Sequence, residues 1–169
     1  IKNNNVKKNI TFKKIDAIKY LKSTKKTFDL ILIKQTIHFF SKKKIKILIN
    51  LAKLKLHQNG KILILSLALK NNEIPCFKLM KLNLEKSLRK DNYLISFIKK
   101  ELNNFLIKNY KFKVIIFKKK YISMLKNRYI SCLLNMSKKK ITQGVDEFNK
   151  EKKNKLIFYD KLICLIYKN

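Results

Sequence analysis

Few side chains in this 169-residue chain are equipped for acid–base, nucleophilic or anion-binding work. It has two histidines, His38 and His57, three cysteines, and two arginines, Arg89 and Arg128, beside 40 lysines. Two acid- or amide-bearing stretches sit where apolar, strand-like runs end: Asp16-Ala17, and Lys34-Gln35-Thr36-Ile37-His38. A His just past a buried strand is placed to act as a general base or to stand as a pocket wall. Arg128, kept as arginine where lysine is the rule, suits a bidentate anion contact such as a substrate carboxylate. Its alternative is a structural pair with Asp146, Glu147 or a backbone carbonyl. Tyr121 and Tyr129 can line the same pocket or pack in a core. Asp16 is well suited to cap a helix, and His57 falls near a helix C-terminus, where it is expected to be exposed.

Cys76, Cys132 and Cys164 are widely separated and form no CxxC pair. Neither a disulfide framework nor a metal site is indicated, and free thiols in a reducing cytoplasm are expected.

The elements that must position these groups alternate in type. Residues 10–15 read as a short strand ending at Asp16, and residues 17–22 as a helical turn. Phe28 to Lys34 is a continuous apolar run of strand length, as in a strand buried on both faces. Ser41 can cap a helix in which Ile45, Leu48, Ile49, Ala52 and Leu56 recur at helical spacing. Gln58-Asn59-Gly60 then turns the chain into a strand over 61–67. Strand, helix, strand, helix, strand is the pattern of a parallel sheet with crossover helices. Beyond Pro75, helices are expected over 75–90 and 92–107, a strand over 112–117, helical segments over 121–136 and from Ser137 to about 152, and a closing hairpin within 155–168 across Tyr159-Asp160-Lys161.

These motifs, in this order, resemble the C-terminal part of a class I S-adenosylmethionine-dependent methyltransferase of the trans-aconitate-methyltransferase-like kind. Asp16-Ala17 matches the place where that family holds the adenine amino group and ring. Phe28-Asp29 resembles its "FD" strand start. Lys34-Gln35 falls beside the methionine part of the cofactor, and His38 matches a frequent His near the reacting centre. Leu56-His57-Gln58-Asn59-Gly60-Lys61 resembles its proline- and glycine-bearing turn, with only one glycine kept. Residues 124–131 and Gly144-Val145-Asp146-Glu147 look like its variable cap, which would place Arg128 and Tyr129 against the substrate. The resemblance implies an α/β, Rossmann-like methyltransferase sheet, a helical cap insertion before the last strands, and S-adenosylmethionine as cofactor. It also implies a departure. The family's early strand and Gly-rich loop would lie upstream, and the chain has only Gly60 and Gly144, so an N-terminally truncated domain with half a cofactor site and an open sheet edge is expected.

The net charge of +32 invites another reading. Lys, Asn and Ile make up 40, 18 and 24 of the residues; all three have AT-only codons, so drift in an AT-rich genome accounts for the excess. The alternative is a basic nucleic-acid-binding module, although a selected phosphate-binding surface usually carries many arginines. Either way non-specific, salt-sensitive attraction to polyanions is expected. A third reading is a non-catalytic methyltransferase remnant. The uninterrupted apolar runs are far short of the about 20 residues of a membrane-spanning helix, and neither a membrane partner nor an oligomeric state is indicated. The expectation is therefore a cytoplasmic enzyme fragment acting on a small-molecule substrate: Asp16, Ala17, Lys34 and Gln35 on the cofactor, His38 at the reaction, Arg128 and Tyr129 on the substrate.

Overall fold

A computed structural model describes residues 10–150 and 154–169. Its centre is one four-stranded sheet in the order β1-β2-β4-β3. Strands β1 (Phe28–Lys34) and β2 (Leu56–Leu67) run parallel, while β4 (Lys155–Lys168) is antiparallel to both its neighbours, β2 and β3 (Phe105–Phe117). This is the mixed α/β, Rossmann-like class expected from the sequence, with the cap helices inserted between β3 and β4.

Helix α2 (Lys42–Leu54) makes the crossover between the parallel strands, as two parallel neighbours require. Ser41 Oγ accepts from the Lys44 amide at 3.4 Å, and Ile45, Leu48, Ile49 and Ala52 form its buried stripe. The expected turn at Gln58-Asn59-Gly60 is instead a bulge inside β2. Phe28 faces Leu56 and Leu30 faces Lys61, so the chain loops out between two paired positions. Asn59 takes the left-handed backbone there (φ 66°). Gly60 is needed for close approach, since a Cβ would stand 2.9 Å from the His57 carbonyl oxygen and 3.0 Å from that of Phe28.

Further expectations need correction. Residues 10–15 form no strand; they run irregular and exposed into α1 (Ala17–Ser23). The two helices expected over 75–90 and 92–107 are one, α3 (Lys78–Leu102). Lys90-Asp91-Asn92 looks like a break, but the apolar stripe from Met80 through Leu84 and Leu88 to Leu94, Ile98 and Leu102 keeps its helical phase across it. Strand β3 therefore starts at Phe105, directly after Asn103 turns the chain with φ 42°. The closing hairpin is a single strand: β4 pairs with β3 without interruption from Phe105↔Tyr167 to Phe117↔Lys155, which leaves Tyr159-Asp160-Lys161 in mid-strand. The helix expected over 121–136 is α4 (Lys118–Lys126), followed by a 3-10 turn at Ser131–Leu133. Helix α5 (Lys138–Asn149) is capped by Ser137 as expected; residues 151–152 of that expectation lie outside the described residues.

Two cores hold these elements. One lies under a single face of the sheet, where Ile33, Ile62, Ile64 and Leu165 meet the buried stripes of α2 and α3. The second joins Phe77 and Met80 to Tyr121, Leu125, Ile141, Val145 and Leu156 beneath the cap. Gly144 of α5 lies against the Phe77 ring so closely that a Cβ would come within 2.3 Å of it. The opposite sheet face carries the aligned row Leu32–Leu63–Ile166–Leu106, one residue from each strand. Leu32 and Leu106 keep 52% and 55% of their surface exposed. Parallel strands are ordinarily covered on both faces, and among the described residues β1 has a strand neighbour on one side only. No described helix is long and apolar enough to cross a membrane.

Candidate functional site

The carboxyl ends of β1 and β2 open onto a cavity of about 440 Å³. Its walls come from the β1 and β2 ends, the middle of α3, the cap, and β3–β4. At the end of β1, Gln35 takes the left-handed backbone (φ 51°) while its amide donates to the Leu65 carbonyl at 2.7 Å. That kink ends the strand and starts the 3-10 turn Ile37–Phe39. Ile37 plugs the core at 2% exposure, which holds the neighbouring His38 over the cavity.

His38 is half-buried between Phe39, whose ring centroid is 4.2 Å away, and Asp91 of α3. Its Nδ1 stands 3.9 Å from Asp91 Oδ2, too far for a hydrogen bond. Burial, and secondarily the positive charge of Lys90, hold the imidazole below its ordinary titration range. Lys90 Nζ also donates to the His38 carbonyl at 3.1 Å. Asp91 is 4% exposed. Its burial pushes the carboxyl up to about 6, partly opposed by Lys90. Asp160 of β4 lines the same cavity and is also raised by burial, against the pull of Lys34.

Arg128 ends α4 in the left-handed region (φ 52°). Its Nη2 donates to the Met136 carbonyl at 3.0 Å. Of the structural partners open from sequence, the backbone carbonyl is therefore the one used; Glu147 instead accepts from the Lys78 amide. Tyr129, beside it, is 77% exposed at the cavity mouth. Tyr121 belongs to the second core and donates from its hydroxyl to the Pro75 carbonyl at 2.6 Å.

Among the described residues, five buried side-chain polar atoms have no hydrogen-bond partner. Four of them belong to cavity-lining residues: His38 Nε2, Asp91 Oδ1, Arg128 Nε and Asp160 Oδ1. Buried polar groups are nearly always paired, and leaving one unpaired costs about 1–3 kcal/mol. Their concentration on one largely apolar cavity marks it as a place where a polar ligand would supply the partners.

The structure brings Gln35, His38, Arg128 and Tyr129 onto one cavity. Lys34 is an exposed residue at the end of β1 that acts on Asp160 by charge. Asp16 and Ala17 lie outside this cavity. Ala17 lines a separate concavity with Tyr20 and Lys26, and Asp16 Oδ1 accepts from the Lys19 amide at 3.0 Å as the cap of α1. His57 is exposed and within 2.8 Å of the Thr27 hydroxyl. Asp91 and Asp160 are not among the site residues expected from sequence. Asp91 was detectable as the one acid on the apolar stripe of α3. Asp160 was hidden by the expectation of a turn.

No protein-family model and no curated protein matches the chain. A solved structure similar to it is that of the plantazolicin methyltransferase BpumL in complex with a pentazolic desmethylPZN analogue and SAH, at 16% identity and a TM-score of 0.39. The match covers 90% of this chain, which spans 56% of that structure's chain.

Proposed function

We propose that the polypeptide carrying this chain is an S-adenosylmethionine-dependent methyltransferase acting on a small molecule. One observation carries the reading: the cavity with the unpaired polar atoms lies at the carboxyl ends of two parallel strands, where open α/β sheets bind their ligands. Gln35 and Lys34 are assigned to the methionine end of the cofactor, Asp16 and Ala17 to the adenine, and His38, Arg128 and Tyr129 to the acceptor.

The residues fit the methyl-donor end better than the nucleoside end. Gln35, left-handed at the strand end, brings a polar residue to the same cavity as the orphaned Nε2 of His38. Neither glycine makes a cofactor cradle, because Gly60 is enclosed by the carbonyls of β1 and β2 and Gly144 by Phe77. The cofactor, when bound, supplies a sulfonium-activated methyl group. The chain's own residues then orient the acceptor, exclude water with the apolar walls, and accept its proton at His38 Nε2, which is neutral near pH 7 because burial holds its titration low.

Equilibrium dialysis of S-adenosylhomocysteine against the native protein tests this. Binding weakened about ten-fold by Gln35→Ala, a loss of about 1.4 kcal/mol, is expected; absence of binding to the native protein overturns it.

A further inference from the structure

We propose that the cavity takes a singly cationic organic ligand: an amine or amidine on an apolar body, with a hydrogen-bond acceptor elsewhere in the molecule. This deepens the methyltransferase reading by naming its acceptor, but the binding argument stands on the cavity alone.

The chain has 42 basic and 10 acidic residues. Two of those ten acids, Asp91 and Asp160, are gathered on this one cavity. Among the described residues neither carboxylate has a lysine or arginine ion-pair partner. Lys90 and Lys34 act on them only electrostatically. Each has one oxygen buried and unpaired, and Asp91 is almost wholly enclosed. An uncompensated buried carboxylate is costly unless something with donors and positive charge meets it. Among the side chains that line the cavity, two carboxylates and the Arg128 guanidinium leave one negative charge in excess, with His38 neutral and Lys90 and Lys34 outside the lining. A monocation balances it. The ligand's acceptor group answers Arg128 Nε, the remaining unpaired donor. Most of the remaining lining is apolar, with Ile74, Leu84, Leu88, Val114, Ile116 and Met124 among it, and it suits a hydrocarbon or aromatic body.

The long-range field of the protein works against this choice. A chain of +32 repels cations and attracts anions. A preference for a cation can therefore arise only from the local site.

Three probes with one apolar body separate the possibilities: octylamine, octanol and octanoate, titrated against the native protein by calorimetry at about 0.15 M salt. Octylamine is expected to bind about ten-fold or more tightly than octanoate. Asp160→Asn and Asp91→Asn, with folding checked by circular dichroism, are each expected to abolish that preference. Equal or tighter binding of octanoate overturns the proposal, as does binding of none of the three, or unchanged amine affinity in both folded variants. Because the readout is binding without methyl transfer, amine binding in a protein that fails to take up S-adenosylhomocysteine would sink the methyltransferase reading and leave this one standing.

Discussion

Nδ1 of His38, on the turn after β1, lies 3.9 Å from Oδ2 of Asp91, in the middle of α3, and the two groups titrate toward each other. The imidazole is held low and the carboxyl is pushed up to about 6, in both cases chiefly by burial. The folded chain keeps the Asp91 proton up to about pH 6, whereas the unfolded chain releases it near 3.8. Folded protein thus binds more protons across that window, and stability falls as pH rises through it. His38 acts in the opposite sense: the unfolded chain protonates first as pH falls below 6.5, so its contribution declines toward acid. Asp91→Asn isolates the carboxyl. It is expected to stabilise the protein by about 1–2 kcal/mol at neutral pH and by little near pH 4, read from denaturant melts across the range. A difference that does not vary with pH would contradict the assignment.

Asp16 caps α1 through the Lys19 amide. Asp16→Ala is expected to cost about 1 kcal/mol, and Asp16→Asn much less, since either Asp or Asn can cap. Thermal melts measure that. An adenine contact adds a second signature: a drop in S-adenosylhomocysteine affinity for the alanine variant beyond what its lost stability explains.

Gly144 and Phe77 fit only because one lacks a side chain. A methyl group at 144 would overlap a ring that is 2% exposed. Gly144→Ala is expected to destabilise by about 1–3 kcal/mol through overpacking. Phe77→Leu should recover part of that in the double variant, a coupling that a double-mutant cycle reads directly. Additive losses would show that the clash is relieved elsewhere.

Arg128 donates to the Met136 carbonyl with one nitrogen while Nε stays unpaired beside the cavity. Lysine keeps the charge but not the fork. Arg128→Lys is therefore expected to weaken ligand binding about ten-fold while lowering stability by only about 1 kcal/mol. Equal binding in wild type and variant would reduce Arg128 to a brace for the cap.

Much of this architecture was legible in the sequence because the signals were local. The apolar run of β1, Ser41 and Ser137 as caps, and the phase of Ile45, Leu48, Ile49 and Ala52 each fix an element by themselves. What failed depended on distant partners. Residues 10–15 have strand-like composition but no described neighbour to pair with. Tyr159-Asp160-Lys161 reads as a turn until β3 pairs straight across it, with Asp160 facing Phe112. The polar triplet at 90–92 hides a continuous helix because Asp91 turns inward toward His38. The site divided in the same way: Gln35 and His38 are marked by their place after a strand and Asp91 by its place on the apolar stripe of α3, while Asp160 becomes visible only when β3 pairs across it.

The most direct test of a cofactor site at the β1 end is photochemical crosslinking of methyl-labelled S-adenosylmethionine to the native protein, followed by peptide mapping. Label on the peptide that contains Lys34, Gln35 and His38, lost in Gln35→Ala, is the expected result. Absence of label, or label confined to peptides remote from that strand end, would contradict the assignment of this cavity to methyl transfer.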